Sequence, residues 1–327
     1  IATDQTICSG GDPAAFTVTT AATGSGSLTY QWQSSTTSCA AGFSDISGAT
    51  GSTYDAPGGL AATTFYRRIA TSTLNGVPCT ATSNCVTVTV NGVTAGTIGT
   101  DQTICSGGDP AAFTVTTAAT GAGALTYQWQ SSTTSCAAGF SNIVGATSAT
   151  YDVPAGLATT TYYKRIVTST LSGTCTAASN CVTVTINNVT AGVIAADQTI
   201  CSGGDPAAFT VTTAATGSGA LTYQWQSSTT SCAAGFADVS GATSATYDAP
   251  TGLAVTTYYR RITTSTLNGV PCTATSNCAT VTINSVTAGV IAAGQTICSG
   301  SDPAAFTVTT AATGSGPITY QWQSSTT

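Results

Sequence analysis

The sequence predicts an all-β protein built as a string of tandem β-sandwich domains of about seven strands each. Three observations carry that prediction. The run DQTICSGGDPAAFTVTTAATG begins at Asp4, Asp101 and Asp197 without a change and returns at Gly294 with two changes. Equivalent cysteines (Cys8, Cys105, Cys201 and Cys298) therefore recur every 96 or 97 residues, too long for a solenoid unit and the size of an independent domain. Inside each period, short stretches alternate apolar and polar residues between clusters of Gly, Pro, Ser and Asn, with no helical periodicity.

Taken in order through the first repeat, AAFTVTT (14–20) places Phe16 and Val18 on one side and Thr on the other. LTYQWQS (28–34) does the same with Leu28, Tyr30 and Trp32, TTFYRRIATST (63–73) is β-branched and aromatic, and CVTVTVN (85–91) alternates strictly. Such half-buried strands face one another across a core. SGGDP, ATGSGS, SGATGS, APGGL and the Asn75-Gly76 pair punctuate them as turns.

A tryptophan on the third strand is a mark of the immunoglobulin-like sandwich, but in antibody domains it packs on a disulfide between the second and sixth strands. Those strands here carry Phe16 and Val18, then Tyr66 and Ile69, so apolar packing is expected to replace the core disulfide. The expected core residues are Phe16, Trp32 and Ile69, then Phe113, Trp129 and Ile166, then Phe209, Trp225 and Ile262. The expected domains are residues 1–91, 92–187, 188–284 and a truncated fourth repeat, 285–327. That last piece stops before its second cysteine, and no leader or initiator methionine stands at Ile1; both ends read as those of a fragment.

Composition narrows the class. There is no His or Met, the twelve acids are all Asp, and the six bases are Arg67, Arg68, Lys164, Arg165, Arg260 and Arg261. A formal charge of -6 argues against nucleic acid, which needs a clustered basic face, and against anionic membranes. No apolar run approaches the ~20 residues of a membrane-spanning helix. Thirteen cysteines, four per complete repeat, suggest an oxidising, extracellular or cell-surface location.

Four cysteines allow three pairings within a repeat: Cys8 with Cys79 and Cys39 with Cys85; Cys8 with Cys85 and Cys39 with Cys79; or Cys8 with Cys39 and Cys79 with Cys85. A bridge between adjacent repeats is a fourth possibility. The first is the expectation. Cys8–Cys79 would close a loop of about 71 residues, worth about 4 kcal/mol in the chain-entropy model, to a domain with a thin core. By repetition this gives Cys8–Cys79, Cys39–Cys85, Cys105–Cys175, Cys136–Cys181, Cys201–Cys272 and Cys232–Cys278. Zinc is disfavoured because there is no Cys-x-x-Cys and no His, and a catalytic thiol because no His is present to activate it.

Strand neighbours point to opposite faces, so one of Arg67 and Arg68 should lay its stem along the core near Trp32 while the other meets Asp45 or Asp55. An outward arginine contacting acidic glycans is the competing reading. Asp4, Asp12, Asp45 and Asp55 are scattered singly, whereas calcium loops concentrate their oxygen ligands. The expectation is turn chemistry and no cofactor, with junction calcium as the alternative. Asn188-Val189-Thr190 is a lone glycosylation sequon. With no His or Glu and a single Lys164, no nucleophile–base pair or metal triad assembles. No enzyme activity is expected.

The ordered series QTICSG, LTYQWQSST, ISGATGSTY, GLAATTFYRRI, LNGVPCTATSN and CVTVTVN resembles the Ig-like tandem repeats of giant Bacteroidota surface proteins, including gliding-motility adhesins of the SprB type. The resemblance implies a surface-displayed stalk exported by type IX secretion, serving attachment or gliding motility. It also supports Cys39 and Cys85 as partners. The leading expectation is thus a structural stalk or filament segment that holds a distal adhesive region away from the cell. The alternatives are a multivalent glycan- or protein-binding repeat and the accessory domains of a secreted hydrolase. Expected partners are neighbouring repeats of the same chain, then other copies in a filament or surface glycans, with no nucleic acid and no membrane insertion.

Overall fold

The computed structural model describes residues 1–326. The chain divides into two compact units: residues 1–102 with 107–185, and residues 103–106 with the chain from Ile186 onward. Each is all-β, and each repeats one plan.

In the first unit, the first repeat contributes β1 (Gln5–Cys8), β2 (Ser27–Ser35), β3 (Ser44–Asp45), β4 (Thr64–Leu74), β5 (Val77–Thr82) and β6 (Val86–Asn91). They form one sheet in the order β1-β6-β4-β2-β3, with β5 beside β4. β1 runs parallel to β6, while β4 pairs antiparallel with β2 and β6. β4 and β5 form a hairpin closed at Asn75 and Gly76, both with positive φ. That is the backbone of a two-residue type I′ turn, which Asn-Gly favours.

The alternation of β6 is the alternation of its sequence: Val86, Val88 and Val90 are buried and Thr87 and Thr89 are half-buried. Trp32, at 0% exposure, stacks on Phe16 at 5.7 Å, and Phe16 meets Tyr66 at 5.0 Å. Trp32 Nε1 donates to Gly51 O at 3.0 Å, so the polar edge of the indole is paired inside the core. Phe16 reaches the opposite layer through a bridge to Tyr54. Around it, the expected 14–20 strand is otherwise irregular.

β7 (Val93–Thr94) and β8 (Thr97–Ile98) belong to the second repeat. β7 pairs with Thr120–Gly121 and β8 with Val115–Thr117. Alongside this segment, Val115–Thr117 and Thr120–Gly121 are strand. The second repeat otherwise repeats the sheet of the first, with Ala124–Ser132 against Thr161–Thr170 and Phe113 on Trp129 at 5.7 Å.

In the second unit, the third repeat orders Gln198–Cys201, Ala279–Asn284, Thr257–Leu267, Ala220–Ser228 and Ala237–Asp238 in the same sheet, around Phe209 and Trp225. After it, Val286–Thr287 and Val290–Ile291 pair with Thr313–Gly314 and Val308–Thr310. Phe306 and Trp322 stack at 6.0 Å and stand 51% and 59% exposed.

One core expectation is corrected. Ile69, Ile166 and Ile262 are half-buried and do not join the core. The β2–β4 register runs unbroken from Ser27↔Thr73 to Ser35↔Phe65. Residues three apart on a regular strand point to opposite faces. Because Tyr66 is inside, Arg68 is inside with it and Ile69 is outside.

Candidate functional site at the junctions between repeats

The side chains with the most specific geometry gather where one repeat meets the next. In the first unit, the parallel register sets Cys8 level with Asn91, the last residue of β6. Both meet the hairpin formed by Thr161–Thr170 and Thr174–Ala178 of the second repeat. Cys8 is bonded to Cys175, with Cα atoms 5.5 Å apart. Beside the bridge Asn91, at 0% exposure, donates through Nδ2 to Ser169 O at 2.9 Å and Gly173 O at 3.1 Å. Its Oδ1 accepts from Ser169 Oγ at 2.7 Å. Both amide donors and the carbonyl are paired in a water-excluded place, where losing a partner costs about 1–3 kcal/mol per orphaned group.

The second unit carries the same clasp. Cys105 is bonded to Cys272. Asn187, also at 0%, donates to Ser265 O at 2.7 Å and Val270 O at 2.9 Å and accepts from Ser265 Oγ at 2.7 Å. Residues 103–106 belong to this unit although their sequence neighbours belong to the other.

The connecting segment V-T-A-G-T-I (93–98) is held as closely. Thr94 Oγ1 and Thr120 Oγ1 share a hydrogen bond at 2.7 Å, and Arg165 Nη2 donates to Ala95 O at 2.7 Å. Ile98 N donates to Asn180 Oδ1 at 2.8 Å while Asn180 Nδ2 donates back to Ile98 O at 3.0 Å. Gly96 has φ +65, and a Cβ there would lie 2.1 Å from Thr117 O. Only glycine fits both the left-handed conformation and the approach. Asp101 Oδ1 then accepts from Thr183 N at 2.8 Å, and Asp4 and Asp197 do the same for Thr87 N and Thr280 N.

Two pairing expectations meet different fates. Cys39–Cys85, Cys136–Cys181 and Cys232–Cys278 are present, each with Cα atoms 5.7 Å apart. Cys8–Cys79, Cys105–Cys175 and Cys201–Cys272 are not; the bridges pass to the next repeat instead. Cys8 is level with Asn91, whereas Cys79 lies some twelve residues back along β5 and β6. At ~3.3 Å per residue they stand about 40 Å apart, against the 4.4–6.8 Å that a disulfide spans. The bridge between repeats was legible only as one possibility, because nothing in QTIC announces a strand parallel to TVTVN. The Asn91 and Asn187 clamps were missed altogether. Cys79, Cys201 and Cys298 are unbridged and exposed.

The basic pairs split as parity requires, but not onto aspartate. Arg68 is buried with its guanidinium 4.5 Å from the Tyr30 ring and 5.9 Å from that of Trp32. Arg67 stacks over Phe43 at 4.0 Å, and its Nε donates to Gln33 Oε1; Gln33 in turn donates to Asp45. Lys164 over Phe140 and Arg260 over Phe236 repeat the stacking. Burial lowers Arg165 and Arg261 from the usual guanidinium value. It also pushes the phenols of Tyr163 and Tyr259 up to about 12, neighbouring tyrosines adding to the effect. Asn188 N donates to Ser218 Oγ at 3.0 Å at the junction. Among the described residues no three Cys, Asp, Glu or His side chains gather as metal ligands.

A family model described as a domain of unknown function, DUF8696, matches residues 1–92, 94–188, 190–285 and 287–327. No curated protein sequence matches the chain. Among solved structures, it is similar to three N-terminal domains of the Highly Immunogenic Outer Capsid protein of bacteriophage RB49. Identity there is 11% and the TM-score 0.37, over 84% of this chain and 96% of that one. It is also similar to Sidekick-1 immunoglobulin domains 1–4, at 13% identity and TM-score 0.28, over 88% and 73% of the two chains. A third similarity is to protocadherin gammaB7 EC3–6, at 12% identity and TM-score 0.29, over 86% and 75%.

Proposed function

The chain belongs to the DUF8696 family in each of its four repeats, and on that premise we propose that it is a covalently reinforced spacer. It would form a stalk segment of a repetitive extracellular surface protein, holding a distal adhesive region away from the cell. The observation that carries this reading is the doubled covalent connection: at each clasp, a disulfide joins two repeats that the backbone already joins. A binding module gains nothing from such a bolt, whereas a spacer gains resistance to bending and separation at its weakest place. Five disulfides support an oxidising, extracellular setting. The lack of His and Glu supports a non-catalytic role. The likeness of the repeat words to those of gliding-motility adhesins of Bacteroidota supports a role as a segment of a protein of that class, serving gliding or attachment.

The second reading, a multivalent binder, has one observation in its favour: the cation stacked on an aromatic ring recurs in three repeats. The two separate on a glycan array together with solution scattering. For a spacer, the oxidised chain is silent on the array, and its scattering profile broadens when Cys8 and Cys105 are replaced by Ser. Glycan binding abolished by Phe43→Ala with Arg67→Ala, and a profile indifferent to the bridges, would establish the binder instead.

A further inference from the structure

The two junction clasps are alike in geometry but not in the residue that follows their asparagine. In the first, Asn91 precedes Gly92; in the second, Asn187 precedes Asn188. Nothing in the backbone asks for glycine at 92: its φ lies outside the left-handed region, and a Cβ there would meet no atom within 4 Å. What glycine changes is the chemistry of its neighbour. With no side chain on the following residue, its backbone nitrogen can approach the asparagine carboxamide closely, and asparagine is among the chemically thermolabile residues.

The surroundings of that nitrogen differ as well. Asn188 N is held by Ser218 Oγ at 3.0 Å, and Ser285 N by Ser315 Oγ at 3.1 Å. The matching residue for Gly92 is Ala122, whose N–H donates to Gly92 O at 3.0 Å but which brings no hydroxyl to the glycine nitrogen. The Asn91 carboxamide, by contrast, is fully engaged. Its Nδ2 donates to Ser169 O and Gly173 O, and Ser169 Oγ donates to its Oδ1. Turning the carboxamide back onto the Gly92 nitrogen breaks all three hydrogen bonds at a place with 0% exposure.

We propose that Asn91-Gly92 is a self-modification site guarded by the clasp: it stays an amide while the junction is closed and converts to aspartyl and isoaspartyl product once the junction opens. Gly92 N, giving its proton to water or hydroxide, attacks Asn91 Cγ. The new C–N bond closes a succinimide as the Cγ–Nδ2 bond breaks, and ammonia leaves with a proton from solvent. Water then opens either ring carbonyl. The net change is one water taken up and one ammonia released, with nothing oxidised or reduced. The product cannot restore the clasp. A carboxylate has no hydrogen to give Ser169 O or Gly173 O, so reclosing would set a buried charge against two carbonyl oxygens. Opening that is reversible at the disulfide thus becomes permanent at the asparagine.

The whole chain is aged at mildly alkaline pH, and ammonia loss at Asn91 is followed by peptide mapping that resolves isoaspartate from aspartate. In the oxidised chain Asn91 is expected to stay an amide. With Cys8→Ser and Cys175→Ser together, its conversion is expected to run at least about tenfold faster, and Gly92→Ser in that background returns it toward the closed rate. Asn268-Gly269, exposed in a hairpin turn of the second unit, is the reference that these substitutions leave untouched. A second measurement keeps every cysteine. The chain is reduced, aged and reoxidised in a glutathione buffer. The yield of Cys8–Cys175 should fall in step with conversion at Asn91 and be retained with Gly92→Ser, while Cys136–Cys181 re-forms in both. Equal conversion with the clasp closed and open, or a Cys8–Cys175 bridge that re-forms on converted chains, overturns the proposal.

Discussion

Arg68, Arg165 and Arg261 place a cation inside a sandwich that is otherwise almost without charge. None of them leans on a carboxylate. Arg165 Nη1 donates to Ala149 O and Nη2 to Ala95 O, with the Tyr127 ring 5.0 Å away. A planar fork reaches two carbonyls at once, which an ammonium on a flexible stem does not. Arg165→Lys should orphan one of them and destabilise the second repeat by about 1–3 kcal/mol, read by urea denaturation of the oxidised chain. The buried phenols give a second prediction. Tyr163 and Tyr259 hold their protons to about 12 in the fold but ionise near 10 once unfolded. Their contribution is therefore whole below pH 10 and is lost as pH rises from 10 toward 12. With Cys79, Cys201 and Cys298 alkylated, the melting temperature should be flat from pH 7 to 9.5 and fall above 10, with phenolate absorbance from these residues appearing only as the fold is lost. The inward arginine was legible from strand parity alone. Ile69 was misplaced because Tyr66 and Ile69 were both put inside, although three residues on a regular strand reverse the face.

At the scale of elements, the short V-T-A-G-x-I segment decides whether a flank is sheet or irregular. Paired with it, Val115–Thr117 and Thr120–Gly121 are strand. Gly96→Val should expel it, by a left-handed φ no β-branched residue adopts and a collision with Thr117 O. Amide exchange at Val115–Thr117 and Thr120–Gly121 should then rise toward that of an unpaired loop, while the sheet built on Thr161–Thr170 stays protected. The long strands and Asn-Gly turns were legible because alternation and turn chemistry are local. β1 was not: four residues, QTIC, hydrogen-bonded in parallel to a strand about eighty residues later leave no local pattern. The junction bridges depend on that one pairing, so they stayed out of reach with it. Asn91 and Asn187 read as ordinary strand-end polar residues until the hairpin of the next repeat is set against them.

For the whole molecule, the repeat supplies the domains and the cysteines supply their connection. Each junction bridge closes a loop of 167 residues, worth about 5 kcal/mol in the chain-entropy model. Replacing Cys8 and Cys175 together by Ser should lower the stability of the first unit by up to about that amount, by calorimetry, and leave Cys39–Cys85 and Cys136–Cys181 intact in a peptide map.

The same bridges lay down a second route for tension. From Cys8 a pull crosses to Cys175, follows the backbone to Cys181, crosses to Cys136, returns to Cys105 and crosses again to Cys272. Even with every strand torn out, the second repeat then pays out only about 37 residues of chain, not its full ~97; at ~3.5 Å per residue that is about 130 Å rather than about 340 Å. Stretched between the tips of a force probe, the oxidised chain should come to a hard stop far short of its contour length. A reducing agent added to the cell should release the remaining slack.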